Sequence, residues 1–229
     1  NRSIIALRNL KDMKEHYIKI HSIENEADEL YQNALSDLFH YYKNSIDIIK
    51  YRMKRKNIKG RIKEYFFVNP TAKLRVRQIE KILKLPLPSV IKYCKELKND
   101  GMLKTVTTGN VVFYTADRTN KKFLLEKKLF NIKQLHDSGL IDYLKEELSN
   151  PTIILFGSYA RGEDIENSDI DIYLETFSKK EVNLKKFEKL IERSIQVFTH
   201  KNIREIKNKD LANNIINGIV LNGFVEVFK

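Results

Sequence analysis

Two apolar segments, separated by a tight bend of small residues, constrain this 229-residue chain more than any other feature. Ile153-Ile154-Leu155-Phe156 runs into Gly157-Ser158-Tyr159-Ala160-Arg161-Gly162, and Ser168 then opens Ser-Asp-Ile-Asp-Ile-Tyr-Leu. The first segment reads as a buried strand, and the second as a strand carrying Asp169 and Asp171. Residues i and i+2 of a strand point the same way, so the two carboxylates converge. At about 4 Å they would repel by roughly 4 kcal/mol at an effective dielectric near 20. Solvation, a shared proton or a hard divalent cation makes such a pair tolerable, and Mg²⁺ favours one or two carboxylates plus substrate phosphates. Gly157-Ser158 offers backbone N–H groups and a hydroxyl without bulk, which suits close approach by a phosphate.

Gly157-Ser158 followed after about ten residues by Asp169-Ile170-Asp171 between apolar residues resembles the nucleotidyltransferase superfamily related to DNA polymerase β. Within it, the pattern is most similar to minimal nucleotidyltransferases. The resemblance implies that Asp169 and Asp171 hold Mg²⁺ (or Mn²⁺) and serve catalysis. It implies that Gly157 and Ser158 hold the triphosphate of an NTP substrate, with Arg161 as a further phosphate contact. Active members usually carry a third acid on a later strand. Here the candidate strand is Ser194-Ile195-Gln196-Val197-Phe198-Thr199, with Gln196 where the acid is expected. An amide brings no negative charge and cannot accept a proton. Turnover is then slow, absent, or dependent on another base such as Glu175, four residues beyond Asp171.

The net charge of +12 and a pI near 9.5 point to a polyanionic partner, although a Lys-, Ile- and Asn-rich composition accounts for them equally. The single cysteine excludes an intrachain disulfide and fits the cytoplasm; Cys94 shares a helical stripe with Val90, Ile91 and Leu97, a core pattern. No apolar run approaches membrane-spanning length, so no membrane association is expected.

The densest basic run, Arg52 to Lys63, leads into a patterned region. Ile62–Phe67 begins a helix that Asn69-Pro70-Thr71 breaks. Arg75–Leu85 repeats apolar residues at Val76, Ile79, Ile82 and Leu83. Pro88-Ser89 starts a second helix that stops at Gly101. Leu103–Thr107 and Val111–Thr115 flank Gly109-Asn110 as a hairpin. This succession resembles the winged helix family of DNA-binding domains. The resemblance makes the helix after Pro88 the reader, presenting Lys92, Tyr93, Lys95 and Lys98 to nucleic acid, DNA rather than RNA. Winged helices also contact proteins, which leaves a protein partner or a homodimer open.

Thr119–Ser149 reads as helical, Glu181–Arg193 as an amphipathic helix and Asp210–Asn217 as a further helix. In the first fifty residues, the acidic helix around Glu24, Glu26, Asp28 and Glu29, with Ser45 to Lys50 after it, resembles a fragment of PhoU-like phosphate-transport regulators. The expected fold is α+β in three parts. Residues 1–52 form a helical PhoU-like fragment, residues 53–118 a winged helix, and residues 119–229 a small nucleotidyltransferase-fold domain with a mixed sheet flanked by helices. Two functions fit: transfer of a nucleoside monophosphate from NTP to an acceptor, or a catalytically inactive DNA-binding regulator or antitoxin-like partner.

Overall fold

The computed structural model describes residues 58–226; the acidic helix, the PhoU-like reading and the first part of the basic run lie outside the described residues. Among the described residues, eight α-helices and two β-sheets give an α+β fold. The first half holds α1 (Ile58–Val68), α2 (Val76–Leu83) and α3 (Leu87–Asn99), followed by the antiparallel hairpin β1 (Leu103–Thr108) and β2 (Val111–Ala116). Pro at the first turn of α3 presets its backbone, and Gly101 ends it with φ +76°. Ile62, Phe66, Ile79, Val90, Cys94 and Leu97 converge beneath the hairpin and are all but fully buried. Burial pushes the Cys94 thiol up to about 12, as for a core residue with no reactive role.

The long helix α4 (Lys121–Asp137) joins this module to the rest. The helical stretch anticipated over 119–149 breaks at Ser138-Gly139, where Gly139 takes φ +76° and opens α5 (Leu140–Glu147). Ser138 Oγ accepts a hydrogen bond from Leu140 N at 3.3 Å. The second sheet has the order β5-β4-β3-β6, built from β3 (Thr152–Phe156), β4 (Ile170–Glu175), β5 (Ile195–His200) and β6 (Ile219–Asn222). β4 runs antiparallel to β3 and parallel to β5, and β6 is antiparallel to β3, so the sheet is mixed. The closing segment after Gly218 is thus an edge strand. Between β3 and β4 lies the short α6 (Gly157–Arg161). The helix read over 181–193 is confined to α7 (Lys185–Ile191), and α8 (Lys209–Ile216) precedes β6.

Alternation along the strands sorts the two faces. Ile153, Leu155, Ile170, Ile172 and Leu174 pack against Leu140, Ile141, Leu144, Phe187 and Ile191. The opposite face gathers Ile154, Phe156 and Tyr173 with Ile203, Ile206 and Ile215. Asp171 belongs to that second face.

On α4 the buried positions are Phe123, Lys127, Asn131 and Leu135, one per turn. Phe123 completes the core under the hairpin, and Leu135 the core against the sheet. Between them Lys127 Nζ pairs with Asp164 at 3.0 Å, both side chains being 2% exposed or less. Burial lowers the Lys127 pKa while the Asp164 carboxylate opposes the shift. Removing one partner of such a pair strands a buried charge, at a cost of about 3–5 kcal/mol. Lys127→Met is therefore expected to lose roughly that much stability, measured by urea unfolding; a change below about 1 kcal/mol would show the pair to be dispensable.

Candidate active site

The site grows out of the end of β3. Phe156 is the last residue of that strand and pairs with Asp171 of β4. The chain then turns at Gly157, with φ +74°, into the single helical turn of α6. A Cβ built on Gly157 would lie 2.2 Å from Asp171 Oδ2 and 3.1 Å from its Cγ. Glycine is required here twice over, by its backbone angle and by the carboxylate seated against it. The expected bare turn is in fact a helical turn, closed by Gly162 at φ +73°.

Asp171 is half-buried, whereas Asp169, one residue before the strand, is exposed. Burial raises the Asp171 pKa, the Asp169 charge adds to the rise, and the Arg161 guanidinium opposes it. Asp171 therefore feels both of the other sequence-predicted charges. Arg161 points its Nε at Glu163 Oε2, 2.6 Å away, and its side chain is 54% exposed. On the other side of Asp171, the parallel register sets Gln196 of β5 directly alongside. Partners in register project to the same face, so Gln196 stands on the Asp171 side of the sheet. Glu175 does not substitute for it. It stands four residues along β4, about 13 Å away at strand spacing, and its carboxylate accepts from Ile203 N at 2.8 Å and Tyr173 OH at 3.3 Å.

The loop from Glu163 to Ser168, which delivers the chain to Asp169, is fastened by residues that carry no motif. Asp164 takes the Lys127 ammonium, and Asn131 Nδ2 donates to Asp164 Oδ1 at 2.8 Å and to Tyr159 O at 2.9 Å. Glu166 accepts from Thr71 N and Thr71 Oγ1, both at 2.9 Å. Arg193 donates to Val68 O at 2.9 Å, tying the start of β5 to the end of α1. Its Nε is buried without a partner, beside a small cavity lined in part by Asn131, Asp164 and Tyr159. Sequence reading missed these residues, yet a signal existed. Lys127 and Asn131 interrupt an apolar stripe of strict i, i+4 spacing on α4.

Lys92, Tyr93, Lys95 and Lys98 all lie on α3, in the other half of the described chain; Tyr93 is partly buried and the three lysines are exposed. The structure does not bring them into contact with the two aspartates.

The donor set fits a hard cation that arrives with a phosphate. Two carboxylates and one amide oxygen face the same side, and the Gly157 cradle fixes one carboxylate. Among the described residues no group of three or more His, Cys, Asp or Glu could hold a metal alone. Mg²⁺ is commonly held by one or two carboxylates, with water and substrate phosphates completing its octahedron.

Gly157→Ala should push the Asp171 carboxylate aside and strain the backbone. We expect a loss of more than about 1 kcal/mol in thermal unfolding. Unchanged stability would mean that the carboxylate moves away freely and the cradle is not specific.

Comparison with known proteins agrees with this arrangement. Residues 138–221 match the nucleotidyltransferase domain family. A curated relative from Methanocaldococcus jannaschii, named as a candidate protein adenylyltransferase, is 39% identical over 67 residues, covering 26% of this chain and 67% of the relative. No solved structure matches the chain at the same stringency. With the Gly-Ser turn, the paired aspartates and the mixed sheet all falling inside the matched span, the chain belongs to the nucleotidyltransferase family.

Proposed function

We propose that this chain moves a nucleoside monophosphate from an NTP to a hydroxyl on an acceptor, with residues 119–229 as the transferase domain. The acceptor oxygen bonds the α-phosphorus and releases its proton to solvent, the bond from the α-phosphorus to the oxygen bridging to the β-phosphate breaks, and pyrophosphate leaves. Asp169 and Asp171 would hold Mg²⁺ (or Mn²⁺), which when bound offsets phosphate charge; Gly157 and Ser158 would receive the triphosphate, with Arg161 at its rim. The observation that carries this reading is the Asp171 carboxylate held against Gly157, with Asp169 close enough to shift its titration. The relative's name makes ATP and a protein acceptor the first pair to test.

Residues 53–118 act in this proposal as a winged helix that binds nucleic acid. Charge supports that division. Sixteen Lys and Arg stand against five Asp and Glu between residues 53 and 118, whereas residues 119–229 hold eighteen against seventeen and residues 1–52 eight against eight. Composition bias alone would spread the excess evenly; here one segment holds nearly all of it.

Gln196 favours a second reading, a nucleotide-binding but catalytically silent regulator or antitoxin-like partner. A positioned general base is worth about 10² to 10⁴ in rate, and an amide supplies none of it. Incubation with α-labelled ATP, Mg²⁺ and protein or nucleic-acid acceptors separates the two. The enzyme reading expects slow label transfer, abolished in Asp171→Ala and raised by about 10² or more in Gln196→Asp. No transfer by the wild type or by Gln196→Asp would leave the silent reading.

A further inference from the structure

Beyond the basic run that ends at Lys63, residues 73–84 carry a net charge of +4 and residues 87–100, α3 with its cap, a net charge of +1. On α3, Lys92, Lys95 and Lys98 share the helix with Glu96, and Asp100 follows at its C-terminal cap. Glu96 and Asp100 in turn hold Lys59 of α1, at 3.1 and 2.9 Å. Lys92 lies over the ring of its neighbour Tyr93. From 73 to 84 the balance differs: Lys73, Arg75, Arg77, Lys81 and Lys84 face a single acid, Glu80.

All five cations are exposed, and none is ion-paired with a carboxylate among the described residues. Their placement follows from the backbone. Leu74 exchanges both backbone hydrogen bonds with Tyr114 of β2, at 2.9 and 2.8 Å, and turns its side chain into the core. Lys73 and Arg75 flank it and project outward on one side. The Arg75 guanidinium rests 5.8 Å from the centroid of the Phe113 ring on the hairpin. Arg75 then takes the N-cap position of α2 without a side-chain cap hydrogen bond, Arg77 follows in its first turn, and Lys81 stands one turn further along the same face. Lys84 closes the helix.

The macrodipole accounts for Lys81 and Lys84 at the C-terminal end of α2, but not for the arginines at its other end. A helix N-terminus carries a partial positive charge and favours acids in its first turn, yet α2 has none there and has arginines instead. Cations at that end are at odds with the macrodipole, and a bound phosphate would reverse the sign of the mismatch. A row of cations without base-reading partners matches a phosphodiester backbone, which needs charge at intervals and no sequence code.

We infer that the nucleic-acid surface of this module is the strip Lys73-Arg75-Arg77-Lys81-Lys84, running from the hairpin along α2, and that it contacts the phosphate backbone independently of sequence. The inference rests on the nucleic-acid reading proposed above and relocates its contact from α3 to α2. An anionic membrane is the less favoured polyanion, because exposed Ile82 is the one large apolar side chain exposed between residues 73 and 84.

The test measures affinity of the full chain against salt concentration, using a 30-base-pair duplex of arbitrary sequence, the matching single strand, and vesicles of phosphatidylserine and phosphatidylcholine. Three variants are compared with wild type: Arg77→Ala/Lys81→Ala/Lys84→Ala, Lys92→Ala/Lys95→Ala/Lys98→Ala, and the charge-preserving Arg77→Lys. The α2 triple variant should reduce the log–log salt slope on the duplex by about 2.7, at about 0.9 for each lost phosphate contact, and the α3 triple variant by less than about 1. Arg77→Lys should leave the slope unchanged, and all variants should melt within a few degrees of wild type. A loss in the α3 variant equal to or larger than that in the α2 variant overturns the inference while leaving nucleic-acid binding intact. Binding to vesicles but to neither nucleic acid overturns both, as does the absence of any salt-dependent binding by the wild type. A larger slope on the single strand than on the duplex keeps the strip and identifies the single strand as its ligand.

Discussion

Asp171 and Gly157 occupy space that neither could share with an ordinary side chain. The strand β3 must end where its neighbour β4 presents a carboxylate, and the chain must leave that strand at a positive φ without a Cβ. Everything else at the site follows from that approach. Asp169 falls on the same side because it precedes Asp171 by two residues. Gln196 stands alongside because β5 pairs with β4 in parallel register. The neighbouring faces are apolar: Phe156 flanks Asp171 on β3 and lies against Phe198 of β5, with ring centroids 5.4 Å apart. Partial burial and one like charge raise the Asp171 pKa, the condition that a bound cation would relieve.

A carboxylate pair set for a ligand needs a rigid approach, and the loop before Asp169 has little apolar content of its own. Its rigidity is borrowed from α4 and from the turn after α1. Lys127 and Asn131 are polar residues in a core position, and they are satisfied by Asp164 and the Tyr159 carbonyl rather than by water. The same helix carries Phe123 into one core and Leu135 into the other. The hairpin module and the site are therefore mechanically continuous through α4, with Thr71–Glu166 and the part-buried Arg193–Val68 bond as additional fastenings.

The elements around the Gly-Ser turn and the paired aspartates were readable because their cues are local: apolar runs of strand length, small residues at the bend, and i, i+2 spacing. The three helices and the hairpin were readable for the same reason, through period, proline and glycine. Three features were not. The helix expected over 181–193 loses its first four residues to an irregular approach, in which Asn183 is held by Tyr143, a partner forty residues away. The final segment, Ile219–Asn222, is assigned to no element from sequence, and pairing with β3 makes it a strand. Asp164 looks like any loop acid, because its meaning lies in a lysine on a different helix. The strand around Gln196 was readable from its apolar alternation, and its parallel register sets Gln196 beside Asp171.

The segregation of charge and of carboxylates into different parts of one chain would give the two proposed functions separate supports. Of these, the cation-holding pair is the more basic claim. It is tested most directly by Mn²⁺ titration followed by electron paramagnetic resonance, in the presence of a non-hydrolysable ATP analogue. The account predicts saturable binding that weakens by more than about 10–100-fold, the loss that even outer-shell changes produce, when Asp169 and Asp171 are both changed to asparagine. Equal Mn²⁺ affinity in that double variant and the wild type would contradict it.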